Sequence, residues 1–107
     1  MMKSFSNRRE CKLLVGTTLL GKWNKKPYKI LKELGSGATG VVYLAESLGR
    51  LVALKVGANS MSITSEVNVL KHFSKVQGQA LGPSLLDVDD FIIHGEPVSF
   101  YAMEYLQ

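Results

Sequence analysis

The feature that most constrains the fold is a glycine-rich stretch between two apolar runs, residues 28–34 and 41–45. Its glycines have the spacing G-x-G-x-x-G. Glycine has no Cβ, so backbone amides in such a turn can approach a bound anion closely. Successive N–H groups there form a concave anion site. The stretch consists of Gly35, Ser36, Gly37, Ala38, Thr39 and Gly40.

The residues after the glycines decide between two folds. A dinucleotide-binding fold needs a helix directly after the glycine turn. Here Val41, Val42 and Tyr43 follow, and β-branched and aromatic residues favour a strand. The sequence therefore predicts strand, glycine turn, strand.

The composition is that of one globular domain. The chain has 107 residues, of which 46% are hydrophobic and 21% charged. No apolar run approaches the length of a membrane-spanning helix, and the first residues lack the apolar core of a signal peptide. Cys11 is the single cysteine, which agrees with a reducing compartment. We therefore expect a cytoplasmic protein without a transmembrane segment.

Positive charge is concentrated at the start of the chain. Residues 1–30 carry eight Lys or Arg and one acid, a net +7, whereas residues 31–107 carry five bases and eight acids, a net −3. We predict a solvated basic leader over residues 1–26, with Trp23 packed in the core, and a folded domain over residues 27–107. A nucleic-acid partner is disfavoured because the leader lacks interleaved aromatic residues for base stacking.

Patterning over the rest of the chain predicts an α+β fold. The predicted strands are residues 28–34, 41–46, 51–56, 85–93 and 98–105, and the predicted helix begins at residue 62 and ends at residue 73. The fold class is a five-stranded antiparallel sheet with one packed helix.

Two charged residues interrupt apolar patterns. Lys55 lies in the third strand between Leu54 and Val56. Glu66 falls about 60° from Ile63 around the helix, inside its apolar stripe. Either Lys55 faces outward and Glu66 reaches solvent at the edge of the stripe, or Lys55 points beneath the glycine turn and Glu66 holds it there as an ion pair. The second arrangement would place an ammonium group where phosphates could bind.

Further motifs in the chain match a known family. Three motifs occur in order after the glycine stretch. They are Val52-Ala53-Leu54-Lys55, then Glu66 followed by residues 67–70, then Ala102-Met103-Glu104-Tyr105-Leu106. Over about residues 28–106 the chain resembles the N-terminal, ATP-binding lobe of eukaryotic-like Ser/Thr protein kinases.

This resemblance implies a role for each motif. The glycine stretch would cover the ATP phosphates, and Lys55, paired with Glu66, would contact the α and β phosphates. The adenine would lie between Val42 and Ala53. The remaining roles fall to Met103 as gatekeeper, Glu104 and Leu106 as hinge residues that offer backbone groups to the adenine, and Tyr105 at the entrance.

Catalytic parts of a kinase are missing from the sequence. Neither H-R-D-x-x-x-x-N nor the magnesium-binding D-F-G occurs, and Asp90-Phe91-Ile92 only approaches the latter. We expect this chain alone to bind ATP weakly, to hold no magnesium ligands and to transfer no phosphoryl group. Its partners would be ATP and the missing C-terminal lobe or another protein.

The alternative is a non-enzymatic regulatory or interaction module that self-associates through its exposed cleft face or through residues 13–23.

Overall fold

The computed structural model describes residues 13, 15–57, 63–68 and 85–105, which form one antiparallel sheet and one helical segment. The helical segment, α1, comprises residues 63–68. The strands are β1 (Thr18–Leu20), β2 (Pro27–Gly37), β3 (Gly40–Ser47), β4 (Arg50–Gly57), β5 (Leu85–Ile93) and β6 (Glu96–Glu104).

Within the described residues the sheet has six strands, so the prediction of five was wrong by one. The additional strand, β1, is only three residues long and lies between Gly16 and Gly21. It pairs with the start of β2, where Leu19 lies opposite Tyr28. Three residues are too few to show an alternating pattern, so this strand exists because β2 offers it a pairing edge. It falls within the stretch predicted as a leader, and the boundary at residue 26 stays a prediction.

The strand order is β1-β2-β3-β4-β6-β5, and every neighbouring pair is antiparallel. Two-residue turns join β3 to β4 at Leu48-Gly49 and β5 to β6 at His94-Gly95. All four turn residues have positive φ, between 52° and 85°. Such turns match the twist of the strands they join. Segment α1 lies in the connection between β4 and β5.

The main core lies on one face of a strongly curled sheet. The rings of Phe91 and Phe100 stack 4.0 Å apart, and Tyr28 meets Phe100 edge-on at 5.3 Å. Tyr28 of β2 also lies 6.0 Å from Phe91 of β5, although these strands are four positions apart and would be about 19 Å apart in a flat sheet. The curl therefore wraps the sheet around its own aromatic core.

The opposite face of the sheet carries α1. Ile63 and Val67, one helical turn apart, are buried against Tyr101, and Leu85 and Met103 pack at the margin. This second, smaller cluster fixes α1 over strands β4 and β6. Among the described residues, no helix is long and apolar enough to cross a membrane.

The curl is closed by the turn between β1 and β2. The carboxylate of Asp89 in β5 accepts hydrogen bonds from the backbone N–H groups of Trp23 and Asn24, at 3.0 and 2.8 Å, and Lys22 N–H donates to the carbonyl of Asp90 at 2.8 Å. An added Cβ at Gly21 would lie 2.5 Å from Asp89 Oδ2, so a larger residue there would displace this carboxylate. We call these contacts the seam.

A second carboxylate extends the seam inward. Asp87, also buried, accepts a hydrogen bond from the hydroxyl of Tyr28 at 2.6 Å and another from Asn24 Nδ2. Burial, and then the bond to Asp87, raise the pKa of Tyr28, so the phenol remains a donor.

The expectation that Trp23 packs in the core was wrong. Its side chain is 67% exposed, and the ammonium of Lys22 lies 4.6 Å from its ring centroid. The seam holds the backbone of residue 23 against β5, and this position points the indole outward.

The seam makes a prediction about acid stability. Burial raises the pKa of Asp89, but hydrogen bonds from Asn24, Asp90 and Trp23 outweigh it, and the pKa lies below its ordinary value of 3.8. The ionised carboxylate therefore stabilises the fold above pH ~4, and this contribution is lost as pH falls through the lowered pKa. We expect Asp89→Ala to cost about 1–3 kcal/mol at pH 7, because it leaves the partly buried N–H donors of Trp23, Asn24 and Asp90 without their acceptor.

Urea unfolding between pH 2.5 and 7 measures both effects. The Asp89→Asn variant should lose less stability than the wild type on acidification, because it has no charge to neutralise at that position. Equal acid sensitivity of the two proteins would contradict this account of the seam.

Candidate nucleotide-binding site

Lys55 and Glu66 form the predicted ion pair. Lys55 Nζ lies 3.1 Å from Glu66 Oε1 and 3.3 Å from Oε2, and the two side chains are 15% and 29% exposed. Lys55 is therefore not an outward-facing strand lysine. The strand register explains why Lys55 reaches Glu66, because Lys55 lies opposite Val42 on β3 and opposite Tyr101 on β6. Side chains directly opposite one another share a face, and this is the face that α1 covers.

Tyr101 is a third member of this site that the sequence reasoning missed. Its hydroxyl donates a 2.8 Å hydrogen bond to Glu66 Oε1. A signal was present, since Tyr101 precedes Met103 by two positions in a predicted strand and so lies on the same face. Burial, followed by the bond to Glu66, raises the pKa of Tyr101, so the phenol remains protonated as a donor at physiological pH.

The electrostatics of Glu66 favour its ionised form. Burial alone would raise its pKa. Hydrogen bonds from Tyr101 and Lys55, the charge of Lys55 and a hydrogen bond from Thr39 outweigh burial, and the pKa lies below its ordinary value. Glu66 is therefore a carboxylate at neutral pH, in an ion pair with Lys55. Thr39 lies at the tip of the glycine turn, so this turn reaches the ion pair.

The glycine stretch is the end of the β2–β3 hairpin. Gly35 lies opposite Val42 and Gly37 opposite Gly40, with Ala38 and Thr39 as the turn. Gly40 has a φ of 146°, and an added Cβ would collide with the carbonyl oxygen of Val56. Gly40 is thus required by the packing of β3 on β4.

Gly35 and Gly37 differ from Gly40. No atom lies within 4 Å of a Cβ added to either residue. The fold itself gives no steric reason for glycine at these two positions, and the space beside them is open for a ligand that approaches the backbone.

The predicted adenine-contacting residues lie on the same face as Lys55. Ala53 precedes Lys55 by two positions and lies opposite Met103. Ala53 is buried, whereas Val42 and Met103 are partly buried. The predicted hinge begins at Glu104, whose carboxylate lies 3.6 Å from Arg50 in an exposed ion pair. Tyr105 follows the end of β6, and Leu106 lies outside the described residues.

Asp90 and Phe91 belong to a strand. Asp90 accepts a 2.9 Å hydrogen bond from Ser99 Oγ on β6, and Phe91 is fully buried in the main core. Within the described ranges, no group of three or more His, Cys, Asp or Glu residues could hold a metal ion.

The site combines a glycine hairpin, a strand lysine beneath it, and a glutamate from a helix packed on the same sheet. This is the arrangement of a protein-kinase N-terminal lobe. By sequence and fold this chain is a protein-kinase N-lobe-like segment. No protein-family model matches it.

Known relatives agree with this class. The serine/threonine-protein kinase YabT of Bacillus subtilis is 53% identical over 109 residues, which cover 100% of this chain and 32% of that protein. A serine/threonine protein kinase of Aspergillus fumigatus is 34% identical over 90 residues, 80% of this chain and 23% of that protein. The chain thus spans about a third or less of the curated relatives it matches. The structure of vaccinia related kinase 3 shares the fold, with a TM-score of 0.60 at 17% identity over 95% of this chain and 34% of that one.

The glycines make a prediction that separates packing from binding. Gly40→Ala should destabilise the fold by about 2–4 kcal/mol, because the new Cβ meets the β4 backbone at a strained φ. Gly37→Ala should change stability by less than about 1 kcal/mol and weaken nucleotide binding. Urea unfolding and ATP titration of both variants measure the two quantities. If Gly37→Ala is destabilised as much as Gly40→Ala, then Gly37 is also needed for packing, and the separate role proposed for it in binding is contradicted.

Proposed function

We propose that this chain is the ATP-binding lobe of a protein Ser/Thr kinase. The observation that carries the proposal is the partly buried Lys55–Glu66 pair beneath the glycine hairpin. A buried ion pair adds little to stability and breaks at high cost if one partner is lost. Such a pair suits positioning, and a lysine held in place is a ready point charge for phosphate oxygens.

The residues around the pair support the proposal of an ATP site. The open space beside Gly35 and Gly37 admits phosphates to the backbone amides. Val42 and Ala53 offer small apolar surfaces to the adenine, and Met103 bounds them from β6. Glu104 and Leu106 are proposed to present backbone groups to the adenine edge. Magnesium bound with ATP would neutralise the phosphate charge.

Phosphoryl transfer to a protein Ser or Thr hydroxyl is proposed for a complete enzyme that adds a catalytic base and magnesium ligands. The sequence of this chain contains neither H-R-D nor D-F-G, the motifs that supply those groups in kinases. We therefore propose that the chain alone is inactive and that a C-terminal lobe supplies the other half of the cleft.

Substitution of Lys55 tests the nucleotide site. Lys55→Met keeps most of the side-chain volume and removes the ammonium, so ATP affinity should fall about tenfold or more, the usual effect of losing a charge-assisted hydrogen bond. The matched control is Lys29→Met, an exposed lysine on β2, which should bind as the wild type does. Isothermal titration with Mg-ATP gives the affinities, and circular dichroism checks the fold. Unchanged affinity in Lys55→Met would refute the assignment.

A second candidate, self-association as an interaction module, is favoured by one segment of the chain. Val15, Leu20 and Trp23, which lie within nine positions of one another in the sequence, are 64%, 56% and 67% exposed, and exposed apolar side chains are available for contact with another chain. We expect light scattering to give a mass above that of one chain at high concentration, and Trp23→Ser to lower it. A monomer mass for the wild type at every concentration would remove this candidate.

A further inference from the structure

Tyr101 joins the sheet to α1 in two ways. Its ring packs against Ile63 and Val67, one turn apart on α1, and its hydroxyl donates to Glu66 on the same segment. The side chain lies on β6 directly opposite Lys55 and is 6% exposed. One residue of the sheet thus contacts both the apolar face of α1 and its charged group.

Packing alone does not require a tyrosine at this position. A phenylalanine would fill the same volume between Ile63 and Val67, and a buried phenol costs free energy unless its hydroxyl has a partner. That partner is one oxygen of Glu66, Oε1, which Lys55 also contacts at 3.1 Å. The hydroxyl therefore acts on the same atom as the ammonium.

We propose that Tyr101 is a positioning residue, whose hydroxyl fixes the carboxylate of Glu66 in the orientation that holds Lys55 for nucleotide phosphate. The proposal rests on the proposed function, since Lys55 must bind phosphate for positioning to affect affinity. Glu66 is 29% exposed, so without a second anchor its side chain has solvent-facing rotamers available. A neutral donor restricts those rotamers and adds no cation that would compete for phosphate.

A consequence is that the position of α1 over the sheet depends on Tyr101. An isolated helical segment of a few turns has little stability of its own, so its placement depends on contacts with the sheet. Tyr101 supplies both an apolar and a polar contact from one strand.

The test compares two tyrosines that make the same kind of bond. In the full chain, Tyr101→Phe removes the donor to Glu66, and Tyr28→Phe removes the donor to Asp87 on the other face of the sheet. Both changes delete one phenol–carboxylate hydrogen bond. We expect Mg-ATP affinity to fall about three- to tenfold in Tyr101→Phe, the usual effect of one hydrogen bond, and to stay unchanged in Tyr28→Phe.

A carboxyl NMR titration provides a readout independent of nucleotide. The Tyr101 bond lowers the pKa of Glu66, so this pKa should rise in Tyr101→Phe and stay constant in Tyr28→Phe. The Lys55–Glu66 pair should accordingly be lost at a higher pH as acid is added. Tyr101→Met serves the same purpose if the phenylalanine variant does not fold.

The outcomes separate the two hypotheses. If neither the wild type nor Lys55→Met binds Mg-ATP, the proposed function fails, and the Glu66 titration still decides whether Tyr101 positions the carboxylate. If the pKa of Glu66 is the same in Tyr101→Phe and wild type, the positioning role is overturned. Equal loss of ATP affinity in Tyr28→Phe and Tyr101→Phe would also overturn it, because the effect would then be one of general stability.

Discussion

The candidate site depends on one register across three strands. Val42 on β3, Lys55 on β4 and Tyr101 on β6 lie directly opposite one another. Since neighbouring side chains alternate between the faces of a strand, a shift of one residue would move Lys55 into the main aromatic core. Gly40, held against the backbone of Val56, and the two-residue turn at Leu48-Gly49 keep this register. The chemistry of the face is therefore set by hairpin geometry.

The two faces of the sheet divide stability from function. The aromatic cluster of Tyr28, Phe91 and Phe100 fills one face, and the carboxylates buried beside it, Asp87 and Asp89, are held by the hydrogen bonds of the seam. The other face has a small apolar cluster and places an ammonium, a carboxylate and a phenol in contact. A carboxylate and an ammonium lose hydration on burial, and their attraction offsets this cost only when geometry and hydrogen bonds are good. Because the aromatic face stabilises the fold, the second face can keep an ammonium, a carboxylate and a phenol that add little to stability.

The sequence predicted the hairpins and the ion pair because both have local signals. Alternating apolar residues and glycine turns mark β2 to β4. A lysine in an apolar strand and a glutamate in the apolar stripe of a helix are charged residues at apolar positions, and each needs a partner of opposite charge there. The short strand β1, the exposed Trp23 and the buried Asp89 had no such signal. Strand β1 depends on the pairing edge that β2 offers. The positions of Trp23 and Asp89 depend on the curl of the sheet, which brings segments about 65 residues apart in sequence into contact and leaves no local pattern. Tyr101 was missed for a different reason, since an aromatic residue in a strand is expected to be core.

The seam has a consequence for how the chain is made. Its acceptors, on Asp89 and Asp90, are synthesised more than 60 residues after the amides of residues 22–24 that they bind. During synthesis the early strands can form their hairpins, but the seam stays open until β5 leaves the ribosome, and β4 remains an edge strand until β6 pairs with it. Contacts of such long sequence separation form slowly because the loop must close first. The nascent chain is thus exposed to edge-to-edge pairing with other chains for as long as it takes to translate the second half.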